Sequence, residues 1–163
     1  MQARIGNPAV SVPGALDGLR AFGRSANATG VPAETLALVQ LRVSQINGCS
    51  VCTDIHSREL VALGTSSERL HTLAAWRDAP YFTDAERAAL ALAEAATRLA
   101  DNPGAVADVI WSEAAGHYSA QELAGLVVSI AAINAFNRLY TATRQPAGPW
   151  VAQIVEQLMA ARR

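Results

Sequence analysis

The sequence predicts an all-α fold, a bundle of about seven or eight helices. Three observations carry this. Alanine is by far the commonest residue and aromatics make up only 6% of the chain. Alanine loses no side-chain entropy in a helix, so such a composition favours helix. Apolar residues recur three and four apart between proline and glycine breaks. Three pairs, Thr65 with Glu68, Thr83 with Glu86 and Ser119 with Glu122, fit the reciprocal capping box that opens a helix. No segment reads convincingly as a strand, and the β-branched pair Val127 and Val128 sits inside a long helical pattern.

In chain order, a first helix is expected from about Gly14 to Asn27, with Leu16, Leu19, Phe22 and Gly23 on one face. Pro32 suits the first turn of a second helix and Gly48 its end. Between them Leu36, Val39, Val43 and Ile46 recur at helical spacing. A third helix runs from Ser50 to Gly64, and a fourth opens at the Thr65 box. Asp84 to Ala100 is an alanine-rich helix, broken by Asn102, Pro103 and Gly104. A short helix from Ala105 to Ala115 ends at Gly116, and the longest runs from Ala120 to Thr143. A last helix carries Val151, Ile154, Val155 and Leu158 as a narrow apolar stripe.

A chain of 163 residues is one domain, 1–163, able to bury roughly two-thirds of its unfolded surface without disulfide staples. With 51% hydrophobic and 17% charged residues, intrinsic disorder is excluded. All thirteen basic residues are arginine, which rules out lysine Schiff-base or lysine general-base chemistry. A net charge of -1 without runs of like charge gives no footprint for nucleic acid or for an anionic membrane surface. Met1 to Pro13 lacks the apolar core of a signal peptide, and no stretch reads as a membrane span. The cytoplasm is the expected compartment, and there a close cysteine pair is a metal or redox site sooner than a structural bridge.

The only cysteines, Cys49 and Cys52, stand three apart at the start of the third expected helix. Their sulfurs can meet over the first turn, near backbone N–H groups without helical partners, where the helix dipole favours a thiolate. His56 follows one turn after Cys52 on the same face and can accept or return a thiol proton. A dithiol beside a base suits reversible thiol–disulfide exchange or peroxide reduction. Two other readings compete. The cysteines could be small buried hydrophobes. With His56 they could also hold structural zinc, although there is no second C-x-x-C and a fourth ligand must come from His71 or Asp54. A thioredoxin fold lacks its βαβ context here.

The run Leu41-Arg42-Val43-Ser44-Gln45-Ile46-Asn47-Gly48-Cys49, followed by Cys52 and His56, resembles the core of the AhpD-like alkylhydroperoxidases of the carboxymuconolactone decarboxylase superfamily. So do Thr83 to Leu90, the turn His117-Tyr118-Ser119 with Glu122 and Leu123, and the stretch Ile133 to Leu139. The resemblance implies an all-helical AhpD-like domain that assembles as trimers or hexamers. It implies peroxide reduction without metal, haem or other cofactor, with Cys52 peroxidatic, Cys49 resolving and His56 in the proton relay. The peroxide and the dithiol reductant or redox partner protein are not specified. The decarboxylase branch generally lacks the cysteine motif, which argues against lactone decarboxylation. The rival class is a non-catalytic oligomeric protein on the same fold that senses redox state or binds a ligand. Two positions depart from the family pattern. Val51 stands where the better-studied peroxidases have histidine, and Ala37 where the family tends to carry a glutamate. Glu34, one turn before Ala37, is the candidate substitute acid.

The remaining singled-out residues read as structural. His71 suits a solvated or core-edge site and His117 a helix C-terminus. Trp76, Trp111 and Trp150 suit packing or an interface. Asn134, Asn137 and Arg138 share one face of the long helix, where a buried polar network is expected.

Overall fold

The computed structural model describes residues 2–99 and 101–161, and among these it contains nine α-helices and no strand. The sequence did not indicate α1 (Pro8–Ser11), although the signal was there: Asn7 caps Ala9 N–H through its side chain and Pro8 stands in the first turn. Helix α2 (Ala15–Ser25) follows and runs into a 3-10 turn over Ala26–Ala28. Next come α3 (Ala33–Asn47), α4 (Ser50–Ala62) and α5 (Ser67–Thr72). The chain continues through α6 (Asp84–Thr97), α7 (Asp108–His117), α8 (Ala120–Thr143) and α9 (Val151–Ala160).

The boxes at Thr83 and Ser119 form in full, each hydroxyl accepting the Glu backbone N–H and each Glu accepting the cap N–H. The box expected at Thr65 is corrected. Ser66 caps α5, and the Thr65 hydroxyl instead donates to Glu34 Oε1 at 2.8 Å. The short helix is also shifted: it starts at Asp108 and runs through Gly116 to His117, because Gly116 has no left-handed φ and so does not terminate it. The Ala100 end expected for the alanine-rich helix lies outside the described residues.

Helix α3 packs against α4, α6 and α8 at once. Leu36, Val39 and Val43 enter one apolar cluster, while Ala37, Leu38 and Leu41 enter a second cluster with Leu60, Leu73, Trp76 and Leu90. A helix apolar on more than one face is a core helix. Helix α8 is similar. By length and apolarity it could cross a bilayer, which corrects the reading that no segment could. In this fold α2, α3, α4, α6 and α7 pack around it, and 56% of its most apolar window is buried. Buried Glu94 of α6 accepts from Arg42 Nε of α3 at 2.6 Å and, from the loop before α6, from Arg77 Nη1 at 2.8 Å and Trp76 Nε1 at 3.0 Å. Trp76 is thus a packing residue with a satisfied indole, whereas Trp111 and Trp150 are exposed.

Candidate active site

The cysteines are placed by a tight joint. Helix α3 ends at Asn47, and Gly48 adopts the left-handed conformation, φ 66°. There its N–H bonds Gln45 O while the Cys49 N–H reaches Ser44 O. Cys49 then caps α4 directly. Its Sγ accepts the Cys52 backbone N–H at 3.3 Å and stands 2.8 Å from Cys52 Sγ, both thiols being free and buried. A sulfur in the N-cap role receives an otherwise orphaned donor and the positive end of the dipole, so this joint favours a thiolate at Cys49.

Electrostatics agree with that geometry. The hydrogen bond from Cys52 lowers the Cys49 thiol from 9.0 to about 7, against the opposing effect of burial, with help from the Cys52 backbone and from Thr141 and Asn137. Cys52 is pushed well above the usual thiol range by its hydrogen bond with Cys49, by burial and by the negative charge on Cys49. The two groups titrate as a pair, with the first charge resting on Cys49.

Cys52 faces a pocket of about 170 Å³, which His56 and Glu59 also line. His56 Nδ1 is 2.8 Å from Glu59 Oε2, and Glu59 is fully buried on the same helix. This carboxylate was not singled out in the sequence. The signal for it was its i+3 spacing from His56, which puts both on one face. Glu34 lies elsewhere: it accepts from Thr65 and stands 3.4 Å from Arg69, while Ala37 is enclosed in the second apolar cluster. The histidine's acid partner therefore comes from α4, not α3. Val51 is buried in the first cluster.

Behind the sulfurs lies the polar network expected on the long helix. Asn47 Nδ2 donates to both Asn134 Oδ1 and Asn137 Oδ1 at 2.9 Å. Asn134 donates to Thr97 and to Ile130 O, and Asn137 to Ser44 Oγ at 3.2 Å. Asn137 also lowers the pKa of both cysteines, an influence the sequence reading did not foresee. His71 is exposed on α5 and Asp54 accepts from Arg58 at 2.7 Å, so neither reaches the sulfurs as a fourth ligand. Among the described residues no three His, Cys, Asp or Glu side chains converge as a metal-holding group. His117 ends α7, 3.5 Å from Glu113.

Residues 13–95 match the carboxymuconolactone decarboxylase family. The chain belongs to that family. It is 33% identical over 105 residues to the uncharacterized protein YdfG of Bacillus subtilis, a match covering 64% of this chain and 70% of that protein. It is 37% identical over 111 residues to the uncharacterized protein YnjA of Escherichia coli, covering 68% of this chain and 59% of the relative. A shorter match, 46% over 43 residues, links 26% of this chain to 24% of the alkyl hydroperoxide reductase AhpD of Bradyrhizobium diazoefficiens. A solved structure from Agrobacterium tumefaciens superposes with a TM-score of 0.83 at 32% identity, over 90% of this chain and 99% of that one. That protein is of unknown function and has been suggested as an antioxidant defence protein AhpD. The family membership and the all-helical AhpD-like fold read from the sequence thus both hold.

Proposed function

We propose that this family member reduces organic hydroperoxides through a Cys49–Cys52 dithiol. The observation that carries the reading is the shared pocket: Cys52, His56 and Glu59 line it together, with the Cys49 sulfur 2.8 Å behind Cys52. In the ionised pair Cys52 keeps its proton and Cys49 holds the charge. Cys52 attacks the outer peroxide oxygen as its S–H proton passes to the Cys49 thiolate. An S–O bond forms, the O–O bond breaks, and the alkoxide leaves as alcohol with a proton supplied through His56. Glu59 holds the ring and offsets its positive charge. The Cys49 sulfur then attacks the Cys52 sulfenic acid, the S–S bond forms and water departs. One monoanionic dithiol, one hydroperoxide and one proton give one disulfide, one alcohol and one water. An external dithiol returns the two electrons.

The test is hydroperoxide consumption with dithiothreitol as reductant. Wild type turns over repeatedly, Cys52→Ser does not, and Cys49→Ser is oxidised once and stops. Full turnover by Cys52→Ser overturns the assignment. A wild type that is oxidised once and never cycles points instead to a redox sensor on this fold.

A further inference from the structure

We infer that the hydroperoxide accepted by this pocket carries a carboxylate, a substrate class that rests on the peroxidase reading above. The pocket walls are apolar: Leu16 and Leu19 from α2, Ile133 and Phe136 from α8, Ile154 and Leu158 from α9. They fit a compact hydrocarbon body. At about 170 Å³ the space compares with the roughly 150 Å³ apolar cavities that take a benzene-sized ligand. A bare hydrogen peroxide molecule would leave most of this surface uncovered.

Two arginines in the same wall break the apolar pattern. Arg20 and Arg24 stand one turn apart on α2, so their side chains leave the helix on one face. Among the described residues neither forms an ion pair. Arg20 donates only to a neutral acceptor, Gln157 Oε1 at 3.3 Å, and is half-buried. The other charged group lining the pocket, Glu59, is held by His56 Nδ1 at 2.8 Å among its contacts. The pocket wall therefore offers two guanidinium groups outside any ion pair among the described residues, half-buried Arg20 and exposed Arg24, beside an apolar body and a thiol. Guanidinium forks match the planar geometry of a carboxylate and bind it with charge-assisted hydrogen bonds.

A further unfilled polar group in the lining supports a polar ligand. Gln40 lines the pocket next to the thiol-bearing helix, donates to Ser129 Oγ at 3.1 Å, and leaves its own buried Oε1 without a partner. Buried acceptors are rarely left bare, and a donor on a bound ligand would satisfy this one. The ligand that meets these features is an oxygenated organic acid: carboxylate toward Arg20 and Arg24, hydrocarbon against the apolar wall, hydroperoxide toward Cys52, and a hydrogen-bond donor for Gln40.

The experiment separates binding from turnover by using the unreactive alcohols. Titration calorimetry on the reduced wild-type protein compares 4-(2-hydroxypropan-2-yl)benzoate with its methyl ester. The acid is expected to bind about tenfold more tightly or better, as one charge-assisted contact implies, with an advantage that shrinks as salt is raised. The Arg20→Gln/Arg24→Gln double variant loses that advantage, the acid-to-ester ratio falling to near one. Equal binding of acid and ester by wild type, or a preference that survives the double variant, overturns the inference. The matching hydroperoxides are then assayed with dithiothreitol. Acid selectivity in binding with no consumption of either hydroperoxide sustains the carboxylate site and overturns the peroxidase reading. Consumption of both at one rate with unselective binding does the reverse.

Discussion

Replacing Cys52 by alanine tests the thiolate assignment at its strongest point. The Cys49 thiol titrates at about 7 instead of 9.0, and the hydrogen bond from Cys52 is the largest cause. Alanine removes that donor and leaves the backbone N–H, Asn137 and Thr141, while burial continues to oppose the charge. The Cys49 value is therefore expected to climb back toward 9.0. At neutral pH the ionised fraction of Cys49 then drops from about one half to roughly one in a hundred, a change of ~2–3 kcal/mol between the two protonation states. Cys52→Ser keeps a hydroxyl donor and should lie between. The assay is the ultraviolet absorbance of the thiolate during a pH titration, which does not depend on reagent access to a buried sulfur. Tyrosine ionisation does not intrude from Tyr118 or Tyr140, since burial raises both, Tyr118 to about 12. A Cys52→Ala protein that still titrates near 7 would refute the reasoning and assign the effect to the helix start and its polar network.

Other outcomes follow from the same structure. His56→Ala should lower hydroperoxide turnover by about 10²-fold, and Glu59→Gln should lower it less while shifting the pH profile of kcat/KM; an unchanged profile would remove Glu59 from the relay. Burial alone would raise the Glu94 carboxyl, but Arg77, Trp76 and Arg42 outweigh it and hold the group at about 2. Its contribution is thus complete above the ordinary value of 4.5 and is lost as pH falls toward 2, so acid unfolding monitored by circular dichroism should be displaced to higher pH in Glu94→Gln. Gly125→Ala puts a methyl 2.8 Å from Thr29 Cβ and should destabilise the protein by about 1–3 kcal/mol in urea titration. Light scattering should find the trimer or hexamer that the AhpD-like resemblance implies, with the exposed Val61, Val109, Trp111 and Val127 as candidates for burial in it; a stable monomer at micromolar concentration would refute that.

The sequence disclosed the helices wherever side chains report directly on the backbone. Thr83 with Glu86 and Ser119 with Glu122 set two helix starts, and Gly48 ended α3, because capping is local chemistry. Thr65 misled by one position since Ser66, its equal as a cap, stands beside it and Glu34 claims the Thr65 hydroxyl. The cysteine pair and His56 were legible for the same local reason. Glu59 was missed although it is only three residues from His56. In sequence an exposed glutamate and a fully buried one look alike, and only the packing of α4 shows which this is. Asn137 shows a different obstacle. Its influence on the cysteines links α8 to the α3–α4 joint across most of the chain, and no periodicity reports such a link.

In the proposed dithiol cycle, the cap that Cys49 provides also ties electron transfer to proton uptake. Below about pH 7 both sulfurs of the reduced pair carry protons, so reduction of the disulfide takes up two protons with two electrons. Above that point Cys49 stays ionised and only one proton is taken up. For a two-electron couple the reduction potential then falls by about 59 mV per pH unit on the acid side and by only about 30 mV on the alkaline side. Because Cys52 holds its proton far into alkali, no second break follows in the working range. A single bend near neutrality in a plot of potential against pH is the electrochemical signature of a helix capped by sulfur.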